Sequence, residues 1–115
     1  MPAIAFAIPL LPGKEELDRQ TVRRFAQGED ANAYAASRRS HGITREAVWH
    51  QATPEGGTFA VVLIEANEPD HAIQELATSS NEIDVAFRDA LKELHGIDLA
   101  NDPIPEITLI ADTTF

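Results

Sequence analysis

The chain has 115 residues, a formal net charge of −10 and no cysteine. That length suits one layered domain over residues 1–115 and leaves no room for a catalytic domain beside a separate binding domain. The acidic balance repels phosphate backbones and anionic lipid, so neither nucleic acid nor a membrane surface is expected as a general partner, and the missing thiols exclude disulfides and thiolate sites.

The charge is unevenly placed. Residues 1–57 carry seven basic and seven acidic side chains, whereas 58–115 carry Arg88 and Lys92 against twelve acids. The opening "MPAIAFAIPLLPGKEE" lacks the basic start of an export signal, and Pro9 and Pro12 break its apolar run. No stretch approaches the roughly 20 apolar residues of a membrane span. A soluble, cytoplasmic protein is the expectation.

In "AIAFAIPLL", Ile4, Phe6, Ile8 and Leu10 alternate with Ala3, Ala5, Ala7 and Pro9, which predicts a strand with one bulky and one small face. "LPGKEELD" then turns the chain and begins a helix with acids in its first turn, where they complement exposed amides. The helical pattern runs over about 14–41, and "QGEDAN" interrupts it with a bend or a junction of two helices, because Gly28 is unfavourable in a helix interior. Gly42, after Arg38, Arg39 and His41, is a C-terminal stop.

"ITREAVWHQATPEGGTFAVVLIEA" predicts a β-hairpin connected by "TPEGG". Without a bulge, Ile43, Arg45, Ala47, Trp49 and Gln51 share one face and Val48 and His50 the other. The second strand is apolar on both faces from Phe59 to Ile64, the pattern of a covered central strand. "NEPDHAIQELA" predicts a short helix, and Ile83, Phe87, Leu91 and Leu94 mark a stronger one that Gly96 stops. After the polar return "DLANDPIP", "EITLIADTTF" is expected to supply the last strand. The sum is an α+β fold: a ferredoxin-like β-α-β-β-α-β order with its second helical crossover split, and a four-stranded antiparallel sheet with helices on one side. The uncovered face predicts a homodimer through that face.

The segments "PGKEEL", "SRRSHGITREAVWHQATPEGG", the apolar strand before "EANEPDHAI", and "FRDALKELHGIDL" together give a chain that resembles the actinobacterial branch of the dimeric α/β-barrel superfamily. That ferredoxin-like group includes antibiotic-biosynthesis monooxygenase-like and stress-responsive barrel proteins. The resemblance implies two subunits packed sheet to sheet into a barrel, with clefts between each sheet and its helices. It spans cofactor-independent oxygenases, haem-degrading and chlorite-processing enzymes, isomerases and proteins of no assigned reaction, so fold alone selects no activity.

Arg38, Arg39, His41 and Arg45 form the densest positive group. They suit a clamp on a carboxylate or phosphate, although a helix end accounts for the first three and an ion pair for Arg45. His50 has the ordinary titration range of a proton carrier, and Trp49 could stack on a planar ligand; packing at a seam or boundary is the structural alternative for both. Tyr34 is a candidate donor to a ligand. His41, His50, His71 and His95 lack metal-binding spacing, no haem-ligand pattern is present, and "LPGKEE" lacks the full phosphate loop. No metal or cofactor is expected. The leading reading is a homodimeric barrel protein that binds a small organic ligand, with Arg38 and Trp49 as contacts. The alternative is a cofactor-independent oxygenase or isomerase acting on a polar aromatic or polyketide-like compound. In it His50 moves a proton, Tyr34 orients a substrate oxygen, Arg45 stabilises negative charge and Trp49 shapes the pocket.

Overall fold

The alternating apolar segment at the start forms β1 (Ala3–Pro9), and a turn delivers the chain into α1 (Glu15–Ala26), whose first turn carries Glu15, Glu16 and Asp18. The computed structural model describes residues 2–115. The "QGEDAN" interruption separates two helices, and α2 (Ala31–Ser40) follows it. Gly42, at φ 77°, reverses the chain into β2 (Ile43–Ala52) in a conformation that side chains disfavour. The "TPEGG" connection closes on itself through hydrogen bonds between Thr53 and Gly57 and between Gly56 and Thr53, and β3 (Thr58–Ala66) returns. Pro69, whose missing N–H costs nothing at a helix start, opens α3 (Pro69–Thr78), and α4 (Glu82–His95) follows it.

The sheet has three strands in the order β1-β3-β2, with β3 antiparallel to both neighbours. The expected fourth strand is not formed: residues 103–115 carry no regular structure and are exposed. A strand needs a partner for its backbone, and the connection after α4 does not bring this segment to an edge of its own sheet.

One face of the sheet meets the helices. Ile43, Ile64, Ala66, Ala72 and Leu76 form the buried cluster, joined by Ile4, Phe6, Val62 and Leu99. A shift of register between Ile43 and Arg45 turns Ile43 to this side, opposite Ala66, so it does not share a face with Arg45 and Trp49. The other face is uncovered. Its rows, read from the pairing, are Ala3–Glu65–Arg45, Ala5–Leu63–Ala47, Ala7–Val61–Trp49 and Pro9–Phe59–Gln51. Trp49 is 53% exposed there.

The junction of α1 and α2 is tight. A methyl group at Gly28 would lie 2.8 Å from the Cα of Arg24 and 3.1 Å from its carbonyl oxygen. Backbone cannot swing aside as a long side chain does, so Gly28→Ala is expected to cost about 1–3 kcal/mol, the range of overpacking. Urea unfolding would read this as a lower midpoint at unchanged slope. A neutral or stabilising outcome would contradict the close approach.

Candidate functional site

The helical spacing of Tyr34, Ser37 and Arg38 puts their side chains on one face of α2, turned towards β2 and α4. Arg38 is 5% exposed. Burying a guanidinium is costly unless it is paired, and this one is paired on several sides. Its Nε donates to Glu46 Oε1 at 2.6 Å, one terminal nitrogen donates to the Tyr34 hydroxyl at 2.9 Å, and the other lies 3.5 Å from Asp84 Oδ1. Its plane lies between two aromatic rings, 4.0 Å from the Tyr34 centroid and 4.4 Å from that of Phe87. Tyr34 in turn donates to Glu46 Oε2 at 2.6 Å and stacks on Phe25. Burial, then the Glu46 charge, push the Tyr34 hydroxyl well above the ordinary phenol range. It therefore stays protonated and serves as a donor, not as a base.

Asp84, with no exposed surface, ties this cluster to a histidine. It accepts from the Ser37 hydroxyl on Oδ1 and faces His41 Nε2 at 3.0 Å on Oδ2. The other ring nitrogen of His41 meets Glu75 Oε2 at 2.6 Å. Burial alone would lower the His41 value, but hydrogen bonds to Asp84 and Glu75 outweigh it and hold it above the ordinary imidazole range. Burial likewise works to raise Asp84, yet the Ser37, Ser79 and His41 hydrogen bonds bring it below the usual carboxylate value. Glu75 is lowered chiefly by its bond to His41. α2, β2, α3 and α4 are thus joined by one ionic network, and no buried side-chain nitrogen or oxygen among the described residues lacks a partner.

Beside the network, at the outer edge of β2, lies a shallow open groove of about 250 Å³. Its walls include Tyr34, Arg38, Arg39, Thr44, Arg45 and Glu46. Three of the residues expected to serve a ligand, Tyr34, Arg38 and Arg45, therefore meet around one depression. Arg38 reaches it with its charge already matched by Glu46, whereas Arg39 is exposed and has no ion pair among the described residues. Arg45, 58% exposed in its side chain, holds only a 3.5 Å contact to Glu65. The groove can offer these two guanidinium groups and a phenol edge to a small planar anion.

The other two expected residues lie elsewhere. Trp49 is on the uncovered sheet face. His50 is on the helix side, four residues along β2 from Glu46, or about 13 Å at the usual rise. There its Nε2 lies 2.6 Å from Asp18 Oδ2, a carboxylate buried on α1. The buried carboxylate holds the His50 ring in one orientation through this nitrogen. His71 pairs with Glu75 at 2.6 Å, and His95 Nδ1 sits 3.0 Å from the carbonyl oxygen of Pro9.

Asp18, Glu46, Glu75 and Asp84 escaped the reading of the sequence. Asp18 was legible in principle: it stands four residues before Val22 and seven before Phe25, inside the apolar stripe of α1. Asp84 falls beside Leu91 at 100° per residue, at the margin of the stripe of α4. Glu46 and Glu75 carry no such signal. Among the described residues, no group of acids and histidines could hold a metal ion, and no helix is long and apolar enough to cross a membrane. No family model, curated protein or solved structure matches the chain.

The network sets a pH window. His41, raised from 6.5, stabilises the fold fully below that value and loses its contribution as pH climbs through its folded value. Asp84 and Glu75, lowered from 3.8 and 4.5, contribute above those values and lose it as pH falls. Urea midpoints are therefore expected to be highest between about pH 4.5 and 6.5 and to decline on both sides. His41→Gln should flatten the alkaline decline. An identical alkaline slope in the variant would show that another group causes it.

Proposed function

We propose that the chain is a homodimeric, ferredoxin-like α/β-barrel protein that binds a small organic anion, with residues 106–115 as the fourth strand of its completed sheet. The observation that carries this reading is the uncovered sheet face. Its middle rows, Ala5–Leu63–Ala47 and Ala7–Val61–Trp49, are wholly apolar, and the chain's own helices all lie on the other side. The face spans roughly 300 Å² in plane at ordinary strand spacing. Pairing two such faces would remove on the order of 500–1,000 Å² of apolar surface from water. The gross gain is about 12–25 kcal/mol, against association costs of about 4–15 kcal/mol. Arg45 and Glu65 form a polar corner suited to the rim of such an interface.

The ligand part of the reading is supported by the β2-edge groove. Arg39 and Arg45 stand out as exposed cations in a protein of net charge −10, and the lining offers planar donors for a carboxylate.

A second reading, a cofactor-independent oxygenase or isomerase acting on a polar aromatic or polyketide-like compound, draws support from the His50–Asp18 pair. His50 would move the proton, with Asp18 fixing its ring. Tyr34, bonded to Glu46, would act about 13 Å away along β2 and Arg45 about 16–17 Å away, so only an elongated substrate would engage both places.

Sedimentation equilibrium is expected to find a dimer, and Leu63→Asp, a charge in the centre of the face, to give a folded monomer by far-UV circular dichroism. A wild-type monomer at all accessible concentrations would overturn the association. For the groove, calorimetric titration with benzoate and salicylate should detect binding. Arg39→Ala or Arg45→Ala should each weaken it about tenfold or more, the worth of one lost charge-assisted hydrogen bond. Binding that is indifferent to both substitutions would place the ligand elsewhere.

A further inference from the structure

The sheet has two outer edges, and they are guarded unequally. β2 carries Arg45, Glu46 and His50 and a break in register near its start, the kind of features that keep an exposed edge from recruiting another strand. β1 reads Ala-Ile-Ala-Phe-Ala-Ile-Pro, with no charged or hydrogen-bonding side chain and an uninterrupted register against β3. Only Pro9, at its far end, obstructs a further neighbour. Ile4, Phe6 and Ile8, turned to the helix side, remain half-buried. β1 has the composition of an interior strand at an edge position.

A segment with the complementary need lies at the other end of the sequence. Residues 107–111, Ile-Thr-Leu-Ile-Ala, are bracketed by Glu106 and Asp112 and form no strand. Leu109 is 74% and Ile110 90% exposed, and Phe115 is also fully open to solvent. Nothing in their own subunit covers them.

The path of the chain decides which sheet the segment can reach. α4 ends at the Pro9 end of β1, where the Leu11 N–H donates to the Leu94 carbonyl at 2.9 Å. By Ile104 the chain has come back to the side of α3, where Asp102 and Ile104 line one open cavity with His71 and Thr78. α3 starts just past Ala66, whose N–H donates to the Pro2 carbonyl at 3.1 Å, so this is the opposite end of β1. An antiparallel neighbour must begin at the Pro9 end, and the segment begins where such a strand should finish. A second copy can supply it in the required direction.

We propose that in the homodimer residues 106–115 of each subunit add as an antiparallel strand to the outer edge of β1 of the other subunit. This rests on the sheet-face dimer and would enlarge its interface. The faces alone bury about 500–1,000 Å² of apolar surface. Two exchanged segments would add to it, with Phe115 of each bringing about 150–250 Å².

Because the chain has no cysteine, introduced thiols report single contacts. Chains carrying Ala5→Cys are mixed with chains carrying Thr108→Cys, Leu109→Cys, Ile110→Cys or Ala111→Cys and oxidised without denaturant. A disulfide-linked heterodimer is expected for at least one tail position. The corresponding double variant should give linked dimers instead of closed monomers. Trapping at no tail position, or closed monomers alone, would overturn the exchange. Deletion of 106–115 gives a second readout: the dimer Kd should rise at least about tenfold while the helical signal persists, and an unchanged Kd would also overturn it. The two readings fail separately. A dimer that survives deletion but not Leu63→Asp retains the sheet face and loses the exchange; the reverse pattern retains the exchange and loses the sheet face.

Discussion

A β-sheet has two faces and two edges, and each must meet apolar side chains, a backbone partner or water. Among the described residues, four helices lie on one side of three strands. The opposite face keeps its apolar rows, the β1 edge keeps an undefended backbone, and the apolar segment 107–111 keeps no partner. These three unmet requirements are mutually complementary, and under the proposal two copies of the chain would satisfy all of them. The split βαβ arrangement of β1, β3 and β2 needs one more strand beside β1 to become the four-stranded ferredoxin-like sheet of the proposal.

The helical layer is held by a different kind of interaction. Arg38 and His41 turn inward from the end of α2, so only Arg39 of that basic run faces water without a partner. Breaking such buried pairing typically costs about 3–5 kcal/mol, because the remaining charge stays buried and unmatched. The same network forms the floor of the β2-edge groove, with Tyr34 locked as a donor by Glu46 and Arg38. That network and the exposed Arg39 and Arg45 border the groove, while the ion pair of His50, farther along β2, with Asp18 of α1 lies apart from it.

Much of this was legible residue by residue. Alternation disclosed β1, glycine at position 42 disclosed the end of α2, and the two-sided apolar run of β3 disclosed its central place. The bulge at Thr44 was not legible, because Ile43 and Arg45 fit an unbroken alternation; only burial against Ala66 decides that Ile43 faces the helices. Residues 106–115 carry the composition of a strand but form none, because composition does not supply the backbone partner a strand needs. The five expected site residues divide in the same manner. Tyr34, Arg38 and Arg45 lie close in sequence and converge, while Trp49 and His50 are parted by the pleat. Of the acids that hold them, Glu46 lies nearby on β2, whereas Asp18 of α1 and Asp84 of α4 reach His50 and Arg38 only through long-range packing.

Hydrogen exchange of the amides of β1 that do not bond to β3, together with those of 107–111, tests the central claim most directly. The account predicts protection of both sets at concentrations where the dimer forms, lost together on dilution while the β3 amides remain protected. Protection of either set that is independent of protein concentration, or absent throughout, would contradict a sheet completed between two copies.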